Sequence, residues 1–474
     1  MRRQFTTIAR LSVAASIAAA VTAACSGNSG ANVAVVPTDQ GSGDSTPPQL
    51  LDSSLQGRPD AKGPTRLPDA SLADAGGSDS SALSDGGCRS PNALLSPSDS
   101  RWCAVDTLVA QSLAAPASLP GLSFEVFTTD ANGLLELQYS RSLGTLKPAS
   151  GGAAQTASPT LAVATASAGK YLTGITVLRA KSILAGTSAA FDLNTTVSTL
   201  GCSGLPADRQ TISLYETMHQ TAGVDENDAP CLGDASFTLE QCACAILTSS
   251  IKYPPHGTRF AYGANNFALS AAIANHALAA GSPSRTFQQV ANELQTTLGV
   301  PSAEFAFPPP NQWGAGYRIS GRGYAQYLGL AAPGPGAGKH NGVQLVAPAD
   351  LADMSLPFGG SVTTSYSPFV AGGGQDFRYG AGSWVQCTAP WTTPTSWPAV
   401  GSAITLSLDY ATCPVRIQHS LGAQGFLPWV RFPSASGRGH IAVLATQNTA
   451  MGRVSVNSLQ VFQMIEPILG EILP

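Results

Sequence analysis

Ser167-Ala168-Gly169-Lys170 places a hydroxyl and an amine three residues apart. On a helix that spacing puts both on one face, one turn apart. A serine hydroxyl is a poor nucleophile until a neighbouring base takes its proton, and an adjacent lysine can serve. At the start of a helix Ser167 also lies beside free backbone N–H groups and the positive end of the dipole. Alone, the spacing describes an N-cap serine followed by a solvated lysine better than a catalytic pair. A second match, Ser249-Ser250-Ile251-Lys252, runs into Pro254-Pro255, which ends any helix. The chain has only six lysines, so one beside a candidate nucleophile stands out.

Two further stretches carry reactive side chains. In Pro255-His256-Gly257-Thr258-Arg259-Phe260-Ala261-Tyr262-Gly263-Ala264-Asn265-Asn266 a turn feeds an aromatic stretch and then a helix. Tyr262 could work as an acid or base there; by itself it reads more simply as a core tyrosine beside Phe260. Gln418-His419-Ser420-Leu421-Gly422-Ala423-Gln424-Gly425-Phe426 is similar to the G-x-S-x-G nucleophile elbow of α/β-hydrolases, with Gln418 in place of the first glycine. Chain order argues against an elbow. After Ser420 only 54 residues remain, His440 precedes the acids Glu466 and Glu471, and residues 425–430 read as a strand.

The elements around these residues read as strands, a block of helices, strands again and a terminal helix. Residues 26–98 are poor in aromatics and rich in Ser, Gly, Asp, Pro and Ala, which predicts a flexible tether. From residue 99 the composition is globular. SFEVFTTD and LLELQYS predict a hairpin turning at Asp130-Ala131-Asn132-Gly133. Helices are predicted over 167–183, apolar on the Tyr171, Ile175 and Leu178 side, and over 214–219, 239–249, 264–280, 287–298 and 323–330. Strands return at 404–410, 425–432 and 440–446, and a helix over 456–469 ends the chain. This is an α+β protein with an inserted helical region.

Composition excludes one class of function. Charged residues are 11 % and the net charge is -4, without the clustered basic face that a nucleic-acid binder needs. Hydrophobic residues are 43 %, enough for a sizeable core. The N-terminus reads as a targeting segment over residues 1–24. Arg2, Arg3 and Arg10 precede an apolar run too short to span a bilayer, which ends in small residues. Val21-Thr22-Ala23-Ala24-Cys25-Ser26 resembles a bacterial lipoprotein cleavage site with Cys25 as the lipidated residue, although Thr22 stands where Leu or Val is usual. An ordinary secretory signal cut nearby is the alternative; either expectation exports the chain. Eight cysteines then remain, an even number in an oxidising compartment, which suggests disulfides of open connectivity. Cys88–Cys103 and Cys387–Cys413 are the local guesses, and Cys242-Ala-Cys244 has the wrong spacing for a zinc knuckle.

The order of the motifs resembles the serine β-lactamase-like family, which includes class C β-lactamases, D-alanyl-D-alanine carboxypeptidases and related esterases. The likeness runs from about Phe124 to the C-terminus. It comprises S-x-x-K at Ser167, Phe191-Asp192-Leu193-Asn194-Thr195-Thr196-Val197, and residues 212–224, where Gln220 and Ala222 replace the usual His and Ser. It continues with G-T-x-F-x-Y-G ending at Gly263, Trp313-Gly314-Ala315-Gly316-Tyr317-Arg318-Ile319-Ser320-Gly321, residues 342–354, and Ser420-Leu421-Gly422-Ala423-Gln424-Gly425-Phe426-Leu427-Pro428-Trp429. The resemblance implies a β-lactamase/transpeptidase-like fold, an antiparallel sheet flanked by helices with an all-helical subdomain inserted at about 205–345 in a domain spanning 99–474. It implies that Ser167 is acylated, that Lys170 accepts or relays its proton, and that Tyr262 is the base for acylation and helps activate the deacylating water. A phenol normally titrates near 10, so that role needs a cation such as Lys170 nearby. The implied oxyanion hole uses the N–H groups of Ser167 and Ala423.

Three departures narrow the expectation. Ala264 stands where many relatives have the Asn of Y-x-N. Ser420-Leu421-Gly422 stands where lactamases have K-T-G, so no lysine meets a substrate carboxylate. A second register would instead place His419 as in H-x-G esterases, with Leu421 displacing the glycine. His419 is then a substrate contact or simply a strand histidine. Arg416 could meet a carboxylate or be solvated. The expected protein is a lipid-anchored serine hydrolase of the bacterial cell envelope, periplasmic or on the outer membrane. It needs no metal or organic cofactor and takes a small ester, amide or peptide. The alternatives are a peptidoglycan carboxypeptidase or β-lactamase, and an inactive binding module on the same fold.

Overall fold

A computed structural model describes residues 89–94, 96–114, 119–224, 229–249, 253–356, 358, 362–366, 377–387, 403–404, 415–420, 422, 424–433, 439–447 and 453–473. Cys25, the targeting segment and residues 26–88 lie outside them. The main sheet has the strand order Phe377–Tyr379, Trp384–Cys387, Val415–His419, Leu427–Pro433, Ile441–Ala445, Gly121–Thr129, Leu135–Leu146 and Gln155–Thr156. Every pairing in it is antiparallel. The expected hairpin is present. Asp130 accepts hydrogen bonds through Oδ1 from the N–H groups of Asn132 and Leu134, both at 2.8 Å, which closes the turn.

Alternation along the strands divides the core into two layers. Leu427, Trp429, Ala442 and Leu444 pack with Phe462, Ile465 and Leu469 of the terminal helix Arg453–Ile472 and with Trp102 and Val105 of the helix Ser100–Gln111. Val430, Ile441, Val443 and Ala445 face the other layer, which holds the helices Gly169–Leu184 and Gly321–Ala331. Buried Glu466 ties the terminal helix to the sheet. It accepts from Trp429 Nε1 at 2.6 Å, Arg431 Nη1 at 2.7 Å and His440 Nε2 at 2.9 Å. Burial opposes its charge, but His440 and Arg431 outweigh that and hold its carboxyl below the usual range.

The helical block contains Leu214–Met218, Leu239–Ser249, Asn265–Ala280 and Phe287–Thr297. Capping boxes start three of them, Ser213 with Glu216, Thr238 with Gln241 and Thr286 with Gln289. Short strands fringe the block; Arg259–Ala261 pairs in parallel with Val362–Tyr366. The helix Gly169–Leu184 was expected to show one apolar stripe. It is instead buried all round from Gly169 to Leu178, as befits a helix in the middle of the layer. Of the expected strand at 404–410 only Ile404 is described, and it pairs with Val362 outside the main sheet.

The described residues before 98, expected as the end of a tether, pack against the fold instead. Ser90 and Ala93 are buried. Leu94 N–H donates to Gln138 O and Ser140 N–H to Asn92 O, so this polar segment adds backbone bonds to the hairpin. Composition does not register a segment held that way. The described disulfides are Cys202–Cys244 and Cys231–Cys242. Two residues apart on a helix, Cys242 and Cys244 project about 200° from each other, so each meets a different partner. Cys103 is also disulfide-bonded, while Cys88 and Cys413 of the guessed pairs lie outside the described residues. Cys202–Cys244 closes 42 residues. The double replacement Cys202→Ser, Cys244→Ser should lower stability by about 2–4 kcal/mol in urea melts. A loss under about 1 kcal/mol would mean that helix packing alone holds this loop.

Candidate active site

Ser167 sits in a 3₁₀ turn, Ala166–Ala168, that leads directly into the helix Gly169–Leu184. Ala166 adopts φ +46°, a left-handed conformation that costs a non-glycine residue about 1 kcal/mol or more. Its flanks hold it there. Thr165 donates to Tyr317 O through both N–H and Oγ1 at 3.0 Å, and the Tyr324 hydroxyl donates to Ala168 O at 2.7 Å. The turn therefore presents a half-buried Ser167 from a fixed base.

Lys170 is only 2 % exposed. Its Nζ donates to Ser167 Oγ at 3.1 Å and to Gly314 O at 2.9 Å. It also lies 4.5 Å from the centroid of the Tyr262 ring. These three partners are neutral, a hydroxyl, a carbonyl and an aromatic face. A solvated lysine after an N-cap serine is excluded. Tyr262 follows the strand Arg259–Ala261 and is buried against Tyr379 and Trp384, with ring centroids 5.6 and 5.2 Å away. The three expected catalytic residues, from two distant parts of the chain, thus meet around the Lys170 amine.

The late strand completes one wall. Ser420 N–H donates to Pro428 O at 3.1 Å, and Ser420 Oγ lies 3.4 Å from Ala168 O. A Cβ on Gly422 would lie 2.1 Å from Thr165 O, in the turn that carries Ser167. Only glycine lets the connection after the strand Val415–His419 come this close. That supports the Ser420-Leu421-Gly422 register over the one with Leu421 at the glycine position. Ala423 lies outside the described residues. Gly422→Ala should push this connection off the turn and lower ester turnover by about 10²-fold, since a displacement of about 1 Å costs that much. Unchanged turnover would show that this wall does not contact the reacting group.

His419 is not at this wall. Its ring is buried 5.8 Å from Phe462 of the terminal helix, and burial pushes its protonation down to about 3. Neighbouring residues on a strand project oppositely, so with Ser420 turned toward Ala168, His419 points away from the nucleophile. Arg416 rests 5.5 Å from the Phe432 ring, and burial lowers its pKa. Of the rejected Ser249/Lys252 pair, Lys252 lies outside the described residues.

The sequence reading missed what Gly314 does. Its carbonyl is an acceptor for Lys170, and a Cβ there would lie 2.6 Å from Ala264 Cα. The glycines of Trp313-Gly314-Ala315-Gly316 were the available signal. Gln220 was noted only as a departure, yet it accepts from Gly263 N–H at 2.8 Å, next to Tyr262.

No family model and no curated protein matches this chain. Solved structures do. A β-lactamase-like protein of Bacteroides dorei aligns over 77 % of this chain and 99 % of its own, at 16 % identity and a TM-score of 0.52. A penicillin-binding protein homologue of Caulobacter crescentus aligns over 77 % and 97 %, at 15 % identity and a TM-score of 0.52. A class C β-lactamase bound to cefoxitin aligns over 77 % and 98 %, at 14 % identity and a TM-score of 0.51. The chain has the β-lactamase/transpeptidase fold, an α+β architecture with an antiparallel sheet and flanking helices.

Proposed function

We propose that this protein is a serine hydrolase that forms an acyl-enzyme on Ser167 and hydrolyses an ester or amide bond of a small molecule or peptide. The observation that carries the reading is the 3.1 Å contact between Lys170 Nζ and Ser167 Oγ, made in a buried site against the Tyr262 ring. Ser167 Oγ attacks the carbonyl carbon while its proton passes to Lys170 or Tyr262. The carbonyl π-electrons move to oxygen, facing the Ser167 N–H. The tetrahedral species collapses, and the leaving alcohol or amine takes the proton. Water then attacks the acyl-enzyme, gives a proton to the same base, and releases the acid and Ser167.

Ala264 in place of Asn and Ser420 in place of Lys favour an esterase or amidase over a β-lactamase. A peptidoglycan carboxypeptidase stays within the same chemistry. We also propose export and anchoring by a lipid on Cys25. The disulfides support an oxidising compartment. Among the described residues no helix is long and apolar enough to cross a membrane.

The test is fluorophosphonate labelling of the purified protein with mass spectrometry, beside turnover of p-nitrophenyl acetate, nitrocefin and a muropeptide. An adduct on Ser167 with ester turnover is the expected result. Nitrocefin turnover would move the assignment to a β-lactamase, and released D-alanine to a carboxypeptidase. No adduct and no turnover would leave a binding module.

A further inference from the structure

Tyr262 is held by one residue on both sides. Ala261 N–H donates to the main-chain carbonyl of Gln220 at 2.9 Å. Gly263 N–H donates to the side-chain Oε1 of Gln220 at 2.8 Å. The same Oε1 accepts from Asn266 Nδ2 at 3.0 Å. The residues on either side of Tyr262 thus both donate N–H bonds to Gln220, which restricts the direction in which the Tyr262 side chain leaves the backbone.

Two further observations show that this arrangement is built. Gln220 is fully buried, yet its backbone is left-handed at φ +63°, which a non-glycine residue seldom adopts. The helix Asn265–Ala280 begins just after Tyr262, and its N-cap, Ala264, offers no side-chain acceptor. The residue before that N-cap, Gly263, bonds instead to Gln220, 43 residues away in the chain. The surrounding segment repeats the pattern: Tyr253 N–H donates to Gly223 O, Gly257 N–H to Thr221 O, and His256 Nδ1 meets Glu216 Oε1 at 2.6 Å. The Tyr262 loop is laid along residues 216–223, with Gln220 at its catalytic end.

We infer that Gln220 is a positioning residue for Tyr262 in acyl transfer at Ser167. This rests on the acyl-enzyme reading above. Gln220 touches neither Ser167 nor the substrate in this scheme; it acts through the orientation of the phenol. A misplacement of about 1 Å costs on the order of 10²-fold in rate.

The test is a double-mutant cycle on the full protein, read as the rate of Ser167 acylation by p-nitrophenyl acetate. Gln220→Gly removes the amide and relieves the left-handed backbone, so it should fold. Gln220→Asn, which also tolerates that conformation, is too short to reach Gly263 and serves as the second variant. Thermal melts check both. In the wild-type background each should slow acylation about 10- to 100-fold with KM changed less than about threefold. In a Tyr262→Phe background each should slow it less than about twofold, because the group being positioned is gone. Equal slowing in both backgrounds, or wild-type rates in folded Gln220 variants, would overturn the inference while leaving the acyl-enzyme reading intact. A wild-type protein that forms no adduct on Ser167 would overturn both.

Discussion

Ser167→Ala should abolish the acyl adduct and lower p-nitrophenyl acetate turnover by about 10⁴-fold or more, the scale seen when a covalent nucleophile is removed. The substitution deletes one atom from a half-buried turn. It takes away an acceptor from Lys170 Nζ, which keeps its bond to Gly314 O at 2.9 Å. The stability cost should therefore stay near 1 kcal/mol. Thr165 and Ala168, which clamp the turn, are unaffected because their bonds run to Tyr317 and Tyr324. Loss of rate in a variant that melts within a few degrees of wild type is then a chemical loss. The measurement is the pre-steady-state burst of p-nitrophenol, with intact-mass detection of the acetyl group. A variant keeping more than a tenth of the wild-type burst would place the nucleophile elsewhere and remove the foundation of the proposed mechanism.

The local half of this site was legible in the sequence, and the long-range half was not. Ser167 and Lys170 are three residues apart, so helical geometry alone puts them on one face. That the helix is buried all round, which turns a solvated lysine into a buried one, depends on the layers packed over it. Gly422 was visible as part of S-x-G, but its necessity lies in Thr165 O, 257 residues earlier in the chain. Strand alternation could not say which way His419 points; Phe462 of the terminal helix decides it. Cys242 and Cys244 were readable as disulfide material, but their pairing to Cys231 and Cys202 follows from which sides of one helix they occupy. Asn92 and Ala93 join the hairpin by main-chain bonds, which residue type does not encode. Gln220 belongs with these. Its two contacts around Tyr262 require the loop and the segment 216–223 to lie together, and no spacing rule links positions 43 apart.

Lys170→Met should slow acylation of Ser167 by about 10³-fold, within the range that a positioned proton acceptor contributes. Methionine is close to lysine in length and suits a buried site against the Tyr262 ring, so the variant should fold. What it lacks is the nitrogen at 3.1 Å from Ser167 Oγ and the donor to Gly314 O. The second loss leaves a carbonyl without that partner and should cost about 1–3 kcal/mol of stability. A purely structural lysine would show that stability loss while the rate per folded molecule stayed near wild type, so both are measured on the same active-site-titrated sample. Lys170→Ala separates the roles further. It opens a cavity where the side chain was. Methylamine added to Lys170→Ala supplies a diffusible nitrogen of similar chemistry, and its uncharged form can accept the serine proton. Acylation should then rise with methylamine concentration in Lys170→Ala and not in Ser167→Ala. Rescue in neither variant, with Lys170→Met still fast, would assign the proton transfer to Tyr262 alone and reduce Lys170 to a support for the turn and for Gly314.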